Sequence, residues 1–354
     1  MRSSATSAIG DWRGMMLPAL LLLSGPSLIQ AATQERLPVL TQAAQVRKLT
    51  AAEAKLGYPV KLRGVITCTL PAWGLVFFHD DTGGIYIDSQ QPSVHAGDLV
   101  EVRGRTAPGD FAPVVDHPEI HVVGKAPLPR PRVFPLDDLL TGEQDSQWVE
   151  VRGIVHSIQI EPEDLRLNVS AGSHRFGVIV TDFDKAQQYA SLIDAEVIIV
   201  GACGTQFNDK RQLVGIQIFV QDLNQVHVEE AAHVDPYALP VLPTNSLMRF
   251  TPERASGHRI RVQGVVTMID HGRWFFVQDA YAGVVVDSHD ARDLQPGDRV
   301  DAIGFPTAGS YAPMLDDGAF RKLGRAPISA NLRIAVGGCE TAQQERLRSR
   351  PSEP

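Results

Sequence analysis

Three copies of one loop carry the residues best suited to chemistry. In "TAPGDFAPVVD" (106–116) Phe111 stands beside Asp110, and in "TAGSYAPMLDD" (307–317) Tyr311 takes the aromatic place. In "GTQFNDKRQ" (204–212) Phe207 takes it, followed by Lys210 and Arg211. Trp73 and Trp274 lie in or just after a second loop of the first and third copies. Aromatic rings on both sides of a shallow face stack on flat or cyclic ligands such as sugars or bases, and Lys210 and Arg211 suit an anionic group. A second reading is purely structural. A loop of glycine, proline and one large aromatic folds back and plugs its own barrel, with Pro113 and Pro313 setting the return path. Asp110, Asp116 and Asp316 are then turn residues bonding their own backbone rather than ligand contacts.

Other clusters point to turns more than to sites. "HDDTGG" (79–84) offers a histidine and two carboxylates, but the matching "VQDAYAG" keeps only Asp279, the pattern of a turn between two strands. His117 and His121 are separated by Pro118 and have no third ligand in view. Asn168 begins an "NVS" glycosylation pattern, and Asn208–Gln212 reads as a solvated turn. No nucleophile elbow, HExxH, phosphate loop or CxxC pair is present, so the chain reads as non-catalytic and without a cofactor or metal.

The elements that position these residues are repeated. "VKLRGVIT" (60–67) matches "IRVQGVVT" (260–267), and "AGDLVEVRG" (96–104) matches "PGDRVDAIG" (296–304). "WVEVRGIV" (148–155) and "AEVIIVGACGTQFN" (195–208) form a diverged copy between them. Apolar residues alternate with period two, as at Val60 and Leu62 or Val100 and Val102, the mark of strands with one face inward. The spacing predicts strands near 59–67, 74–79, 84–88, 98–105 and 119–123 in the first copy. Gly64, Gly153 and Gly264 interrupt the first strand of each copy, where a small barrel must bend. Five short strands with a long loop between the fourth and fifth predict an OB-fold barrel. The fold class is therefore all-β: three tandem OB-like five-stranded barrels with short leader helices and proline-rich joints. The expected domains span 38–130, 133–235 (diverged) and 244–330, followed by a disordered tail over 331–354.

The segments "LTAAEAKLGYPVKLRGVIT", "DDTGGIYID", "AGDLVEVRGRTAPGDFAPVV", "DSQWVEVRGIV", "GTQFNDKRQLVGIQIFV" and "GHRIRVQGVVT" resemble the exported sensor region of bacterial, acidobacterial-type sensor histidine kinases. The resemblance covers most of residues 38–330. It implies tandem OB-like domains outside the cytoplasm and association with a membrane sensor. No phospho-accepting histidine box or ATP site follows, so the expectation is a stand-alone binding protein or a piece of a longer sensor kinase.

Composition narrows the partners. With 33 Lys and Arg against 41 Asp and Glu, the net charge of −8 disfavours a phosphate-driven nucleic-acid binder. A small molecule or an envelope protein is the expected partner. Arg2 and Arg13 precede the apolar run "MMLPALLLL" and a small-residue stretch ending at Ala31 and Ala32, the layout of a secretory signal over residues 1–31, with an uncleaved N-terminal anchor as the alternative. The chain is expected to be periplasmic or secreted. Cys68, Cys203 and Cys339 are odd in number and far apart, so free or buried thiols are expected.

Overall fold

The computed structural model describes residues 37–89, 94–109, 112–208, 210, 212–247, 257–270, 272–288, 290–308 and 313–328, excepting the side chains of 207 and 308. The proposed signal, the tail and Cys339 lie outside the described residues. So do Asp110, Phe111, Arg211 and Tyr311, and the side chain of Phe207.

Two short helices, α1 (Ala43–Arg47) and α2 (Ala51–Ala54), lead into β1 (Pro59–Leu70), β2 (Leu75–Asp80), β3 (Gly83–Asp88), β4 (Asp98–Ala107) and β5 (Val114–Lys125). These close into a barrel in the order β1-β2-β3-β5-β4, with β1 paired back onto β4. That is the connectivity of an OB fold. β1 and β4 start where the alternation places them and β2 and β3 within one residue of it, whereas β5 starts at Val114 rather than at 119; bulges carry β1 and β5 around the barrel.

A joint strand β6 (Arg132–Val133) and helix α3 (Leu136–Leu139) lead into the second barrel. It is built of β7 (Trp148–Ile160), β8 (Leu165–Ala171), β9 (His174–Asp182), β10 (Glu196–Phe207) and β11 (Leu213–Asp222), and extended by β12 (Val226–Glu230). Pairing of β10 with β7 closes it. The third barrel repeats the first with β13 (Ile260–Asp270), β14 (Trp274–Gln278), β15 (Gly283–Asp287), β16 (Asp298–Ala308) and β17 (Pro313–Arg325).

The glycine in each first strand is required by close approach. A Cβ on Gly64 would lie 2.3 Å from the His79 carbonyl oxygen, on Gly153 2.5 Å from that of Ser170, and on Gly264 2.4 Å from that of Gln278. Each barrel then fills its own interior: Leu62, Ile66 and Phe78 in the first, Val155, Leu167 and Val178 in the second, Val262, Phe275 and Val300 in the third.

The leaders are tied to their barrels by one repeated carboxylate. Asp80 closes the β2–β3 turn by accepting from the Thr82 and Gly83 amides, and its other oxygen accepts from the Ala43 amide of α1 at 2.7 Å. Asp279 likewise accepts from the Tyr281 and Ala282 amides and from both the amide and hydroxyl of Thr244. The "HDDTGG" cluster is thus a turn and leader anchor. Thr50 and Glu53 form the capping box of α2. Ahead of the third barrel the leader begins as a short 3-10 turn over Thr244–Ser246.

The barrels are packed against one another, and the proline-rich joints do not hold them apart. Cys68, Leu70 and Phe77 of the first meet Trp148, Ile179, Ala202 and Phe219 of the second in a buried apolar seam. Phe77 stacks on Phe219 with centroids 5.2 Å apart. Arg47 of α1 reaches across the seam to the backbone carbonyls of Glu143 and Asp145.

Candidate functional site

One face recurs on all three barrels, just past the bulge in the first strand, and the three copies use it differently. The bulge skips Thr67, His156 and Thr267 in turn. In the first barrel the pairs beyond it are Cys68–Phe77 and Leu70–Leu75, which the seam with the second barrel covers. In the third the matching pairs are Met268–Phe276 and Asp270–Trp274. In the second they are Ser157–Asn168 and Gln159–Arg166, all polar.

These polar residues border a groove of 310 Å³ across β7, β8, β9 and β11, between the β7–β8 and β10–β11 connections. Its floor is low because Gly177 and Gly215 face it in place of side chains, with Gln217 directly beside Gly177 across the parallel β9–β11 pairing. Gln206 donates its amide to Gln217 at 3.0 Å, and Arg175 lines the far end. The inward residues between them, Leu167, Phe176, Val178 and Ile216, are buried and hold the floor rigid.

Both arginines of the groove reach a neighbouring barrel. Arg166 pairs with the buried Asp164 at 2.6 Å, which raises its pKa, and its guanidinium lies 5.7 Å from the Trp73 ring centroid. Trp73, 42% exposed, also meets Phe219 edge-on at 6.2 Å. It borders a second cleft of 250 Å³ with His95, Glu163, Asp164 and Gln221 at the seam. Arg175 pairs with Asp316 at 3.0 Å and Asp317 at 3.5 Å, both in the third barrel, and donates to Nδ1 of His156 at 2.9 Å.

The sequence candidates separate accordingly. Trp73 lies in a cleft, though set against Phe219 and Arg166. Trp274 begins β14 and is the counterpart of Leu75 and Arg166, not of Trp73. Lys210 is exposed on the β10–β11 turn, where Asn208 accepts from the Lys210 and Gln212 amides. Asp116 lies in β5 at its bulge, opposite Arg105, and not in a turn; it accepts from the His117 amide there, whereas Asp316 joins two barrels. Asn168 lies on a strand, not in a surface loop, beside buried Val169 and Ser170. Among the described residues, no group of three or more His, Cys, Asp or Glu side chains is placed to hold a metal ion. Burial pushes the Cys68 thiol far up, and burial with the nearby Asp145 carboxylate pushes that of Cys203 up to about 12.

Sequence reading missed the groove itself: Ser157, Gln159, Arg166, Arg175, Gly177, Gln206, Gly215 and Gln217. The usable signal was the switch from apolar to polar residues at matched positions past the bulge.

Neither a family model nor a curated protein matches the chain. Among solved structures it is similar to the p204 HINb domain, at 13% identity over 50% of this chain and 97% of that one, with a TM-score of 0.21. It is also similar to the Ifi202 HINa domain in complex with 20-bp double-stranded DNA (14% identity, 50% and 96% covered, TM-score 0.21). A third likeness is to aspartyl-tRNA synthetase from Entamoeba histolytica (10% identity, 51% and 51% covered, TM-score 0.25). At these identities the likeness concerns the fold alone.

Proposed function

We propose that the chain is a non-catalytic, exported binding protein whose ligand occupies the groove of the middle barrel. One observation carries the site. Where the first barrel has Cys68, Leu70, Leu75 and Phe77 and buries them, the second has Ser157, Gln159, Arg166 and Asn168 around an open groove. Polar groups converging on a concave strand face suit a ligand with several hydrogen-bonding groups. Both arginines are already paired with carboxylates, so the groove favours a polar small molecule over a polyanion. The signal-like N-terminus and the resemblance to sensor ectodomains support an exported role in which occupancy is passed to a membrane partner. That role predicts that chain recovered from an envelope fraction starts just after Ala31 or Ala32.

A second reading is favoured by the position of Arg166, which lines the groove and also covers Trp73 beside the seam cleft. A chain of sugar units could then run from the groove to Trp73, stacking there. A ligand-observed NMR screen of polar metabolites and neutral oligosaccharides tests both. Gly177→Val, which fills the floor, abolishes binding in either case, and Trp73→Ala weakens only the longer ligands. Binders indifferent to Gly177→Val would remove the groove from consideration.

A further inference from the structure

We infer that the chain assembles end to end, the third barrel of one copy docking on the first barrel of the next. The surfaces involved lie apart from the groove, and the inference stands without it. Both joints inside the chain use matching faces. The donating face surrounds the first-strand bulge: Cys68, Phe77 and Gly84 at the first joint, His156 and Arg175 at the second. Strand register makes Arg175 the counterpart of Gly84, and His156 that of Thr67 beside Cys68. The receiving face is a cross-strand pair, Ala202 with Phe219 in the second barrel and Phe305 with Asp316 in the third. Ala202 and Phe219 take up the apolar seam, Phe305 stacks on His156, and Asp316 receives Arg175.

Each outer barrel carries the face that its place in the chain leaves over. On the first barrel the receiving pair is Arg105 with Asp116. His117 follows in a left-handed backbone (φ 47°), as Asp317 does after Asp316 (φ 48°), and Asp317 also receives Arg175. Side chains other than glycine seldom take this conformation, so its recurrence marks one surface built twice. The His117 side chain is 90% exposed.

On the third barrel the donating face carries Met268, Asp270 and Trp274. All three are partly exposed, where Cys68 and Leu70 of the first barrel are buried. A Cβ on Gly84 would strike the Ser146 carbonyl of the second barrel, whereas one on its counterpart Gly283 would strike the Phe276 ring. That ring folds over the space a neighbouring barrel fills at the first joint.

Charge selects which end is met. Asp270 is the counterpart of Leu70, which shares the seam cluster with Ala202, the counterpart of Arg105. Asp270 is thereby set against Arg105 and His117, and Arg273, 3.8 Å from Asp270, suits Asp116. The third barrel's own receiving face, with Asp316 and Asp317, would repel Asp270. Two different faces meet, so the contact is heterologous and propagates instead of stopping at a two-fold pair.

The test is sedimentation velocity of the full chain at concentrations from micromolar to millimolar. The wild-type mean mass rises with concentration past that of a dimer. Met268→Glu removes the donating face and Arg105→Glu the receiving face, so each variant alone stays monomeric. Mixed in equal amounts they double in mass and grow no further, since each keeps the face the other lacks. Circular dichroism checks that both are folded. If either is not, Trp274→Glu and His117→Asp form a second pair, the latter copying the residue held by the matching bend at Asp317. A wild-type chain that is monomeric throughout overturns the inference. So does a dimer that never grows, or a mixture of folded variants that stays monomeric.

Discussion

Arg166 and Arg175 line one groove and reach opposite neighbours: Arg166 lies over Trp73 of the first barrel, and Arg175 pairs with Asp316 of the third. The middle barrel's open face is thus bordered by both outer barrels. Each arginine is partly exposed, and exposed ion pairs contribute only about 0–1 kcal/mol. Replacing Arg175, whose carboxylate partners are partly exposed, with Gln is expected to lower unfolding stability by no more than about 1 kcal/mol. Arg166→Gln should cost more, because it leaves the buried Asp164 carboxylate without its ion-pair partner. Urea denaturation checks this, and a much larger loss at Arg175 would make it structural rather than available to a ligand.

The seam between the first two barrels is an apolar core. Phe219 is buried there against Phe77 and Trp73. Phe219→Ala is expected to cost about 3 kcal/mol or more, the range for a large core truncation. Trp73→Ala removes a half-exposed ring and should cost clearly less. Thermal and chemical denaturation of the two variants should rank them in that order.

The strand-one glycines make a graded prediction. An alanine at Gly64, Gly153 or Gly264 puts a methyl within 2.5 Å of a neighbouring carbonyl oxygen. Each substitution is expected to destabilise by about 1–3 kcal/mol, as overpacking does. Gly172→Ala, in open space, should lose only the smaller cost of its left-handed backbone. Equal effects at all four positions would contradict the close-approach account.

The pH dependence of stability has two limbs. Desolvation works against the Asp98, Asp298 and Asp301 carboxylates. Lys125 with the His95 amide, the Gln295 amide with Lys322, and Arg261 with Arg321 respectively outweigh it and hold each below the usual carboxylate range. A depressed carboxylate contributes stability that is full above its unfolded pKa of about 3.9 and is lost as pH falls through the folded value. Stability should therefore drop below about pH 4, and less so in Asp298→Asn. His258 is shifted the other way, upward, by its hydrogen bond to Asp194. Its contribution is full below the unfolded value of about 6.5 and fades as pH rises through the folded one. His258→Asn should flatten the alkaline side of the curve.

Cys68 and Cys203 are buried thiols with raised pKa values. Since the thiolate is the nucleophile, native protein at pH 8 should resist alkylation at both sites, and unfolding should expose them together. Peptide mapping by mass spectrometry reads this directly.

Much of the fold was legible because alternation and glycine position report the same physics. Val60, Leu62, Val100 and Val102 point inward as their spacing requires. β6 and β12 escaped notice, being short and largely exposed, with little apolar patterning to mark them. The site was harder to read. Outward polar residues such as Gln159, Asn168 and Gln217 look in sequence like any solvated strand face. Only the bulge register, which sets Arg166 against Leu75 and Trp274, distinguishes a groove from a surface. The loop aromatics drew attention because large rings stand out in a glycine- and proline-rich stretch, and three of those positions lie outside the described residues or side chains.

The most direct measurement is a side-chain amide footprint of the full chain titrated with neutral oligosaccharides and small polar metabolites. The account predicts saturable shifts centred on Asn168, Gln206 and Gln217, absent in Gly177→Val. Shifts centred instead on the Trp274 face of the third barrel, with the groove amides unmoved, would contradict it.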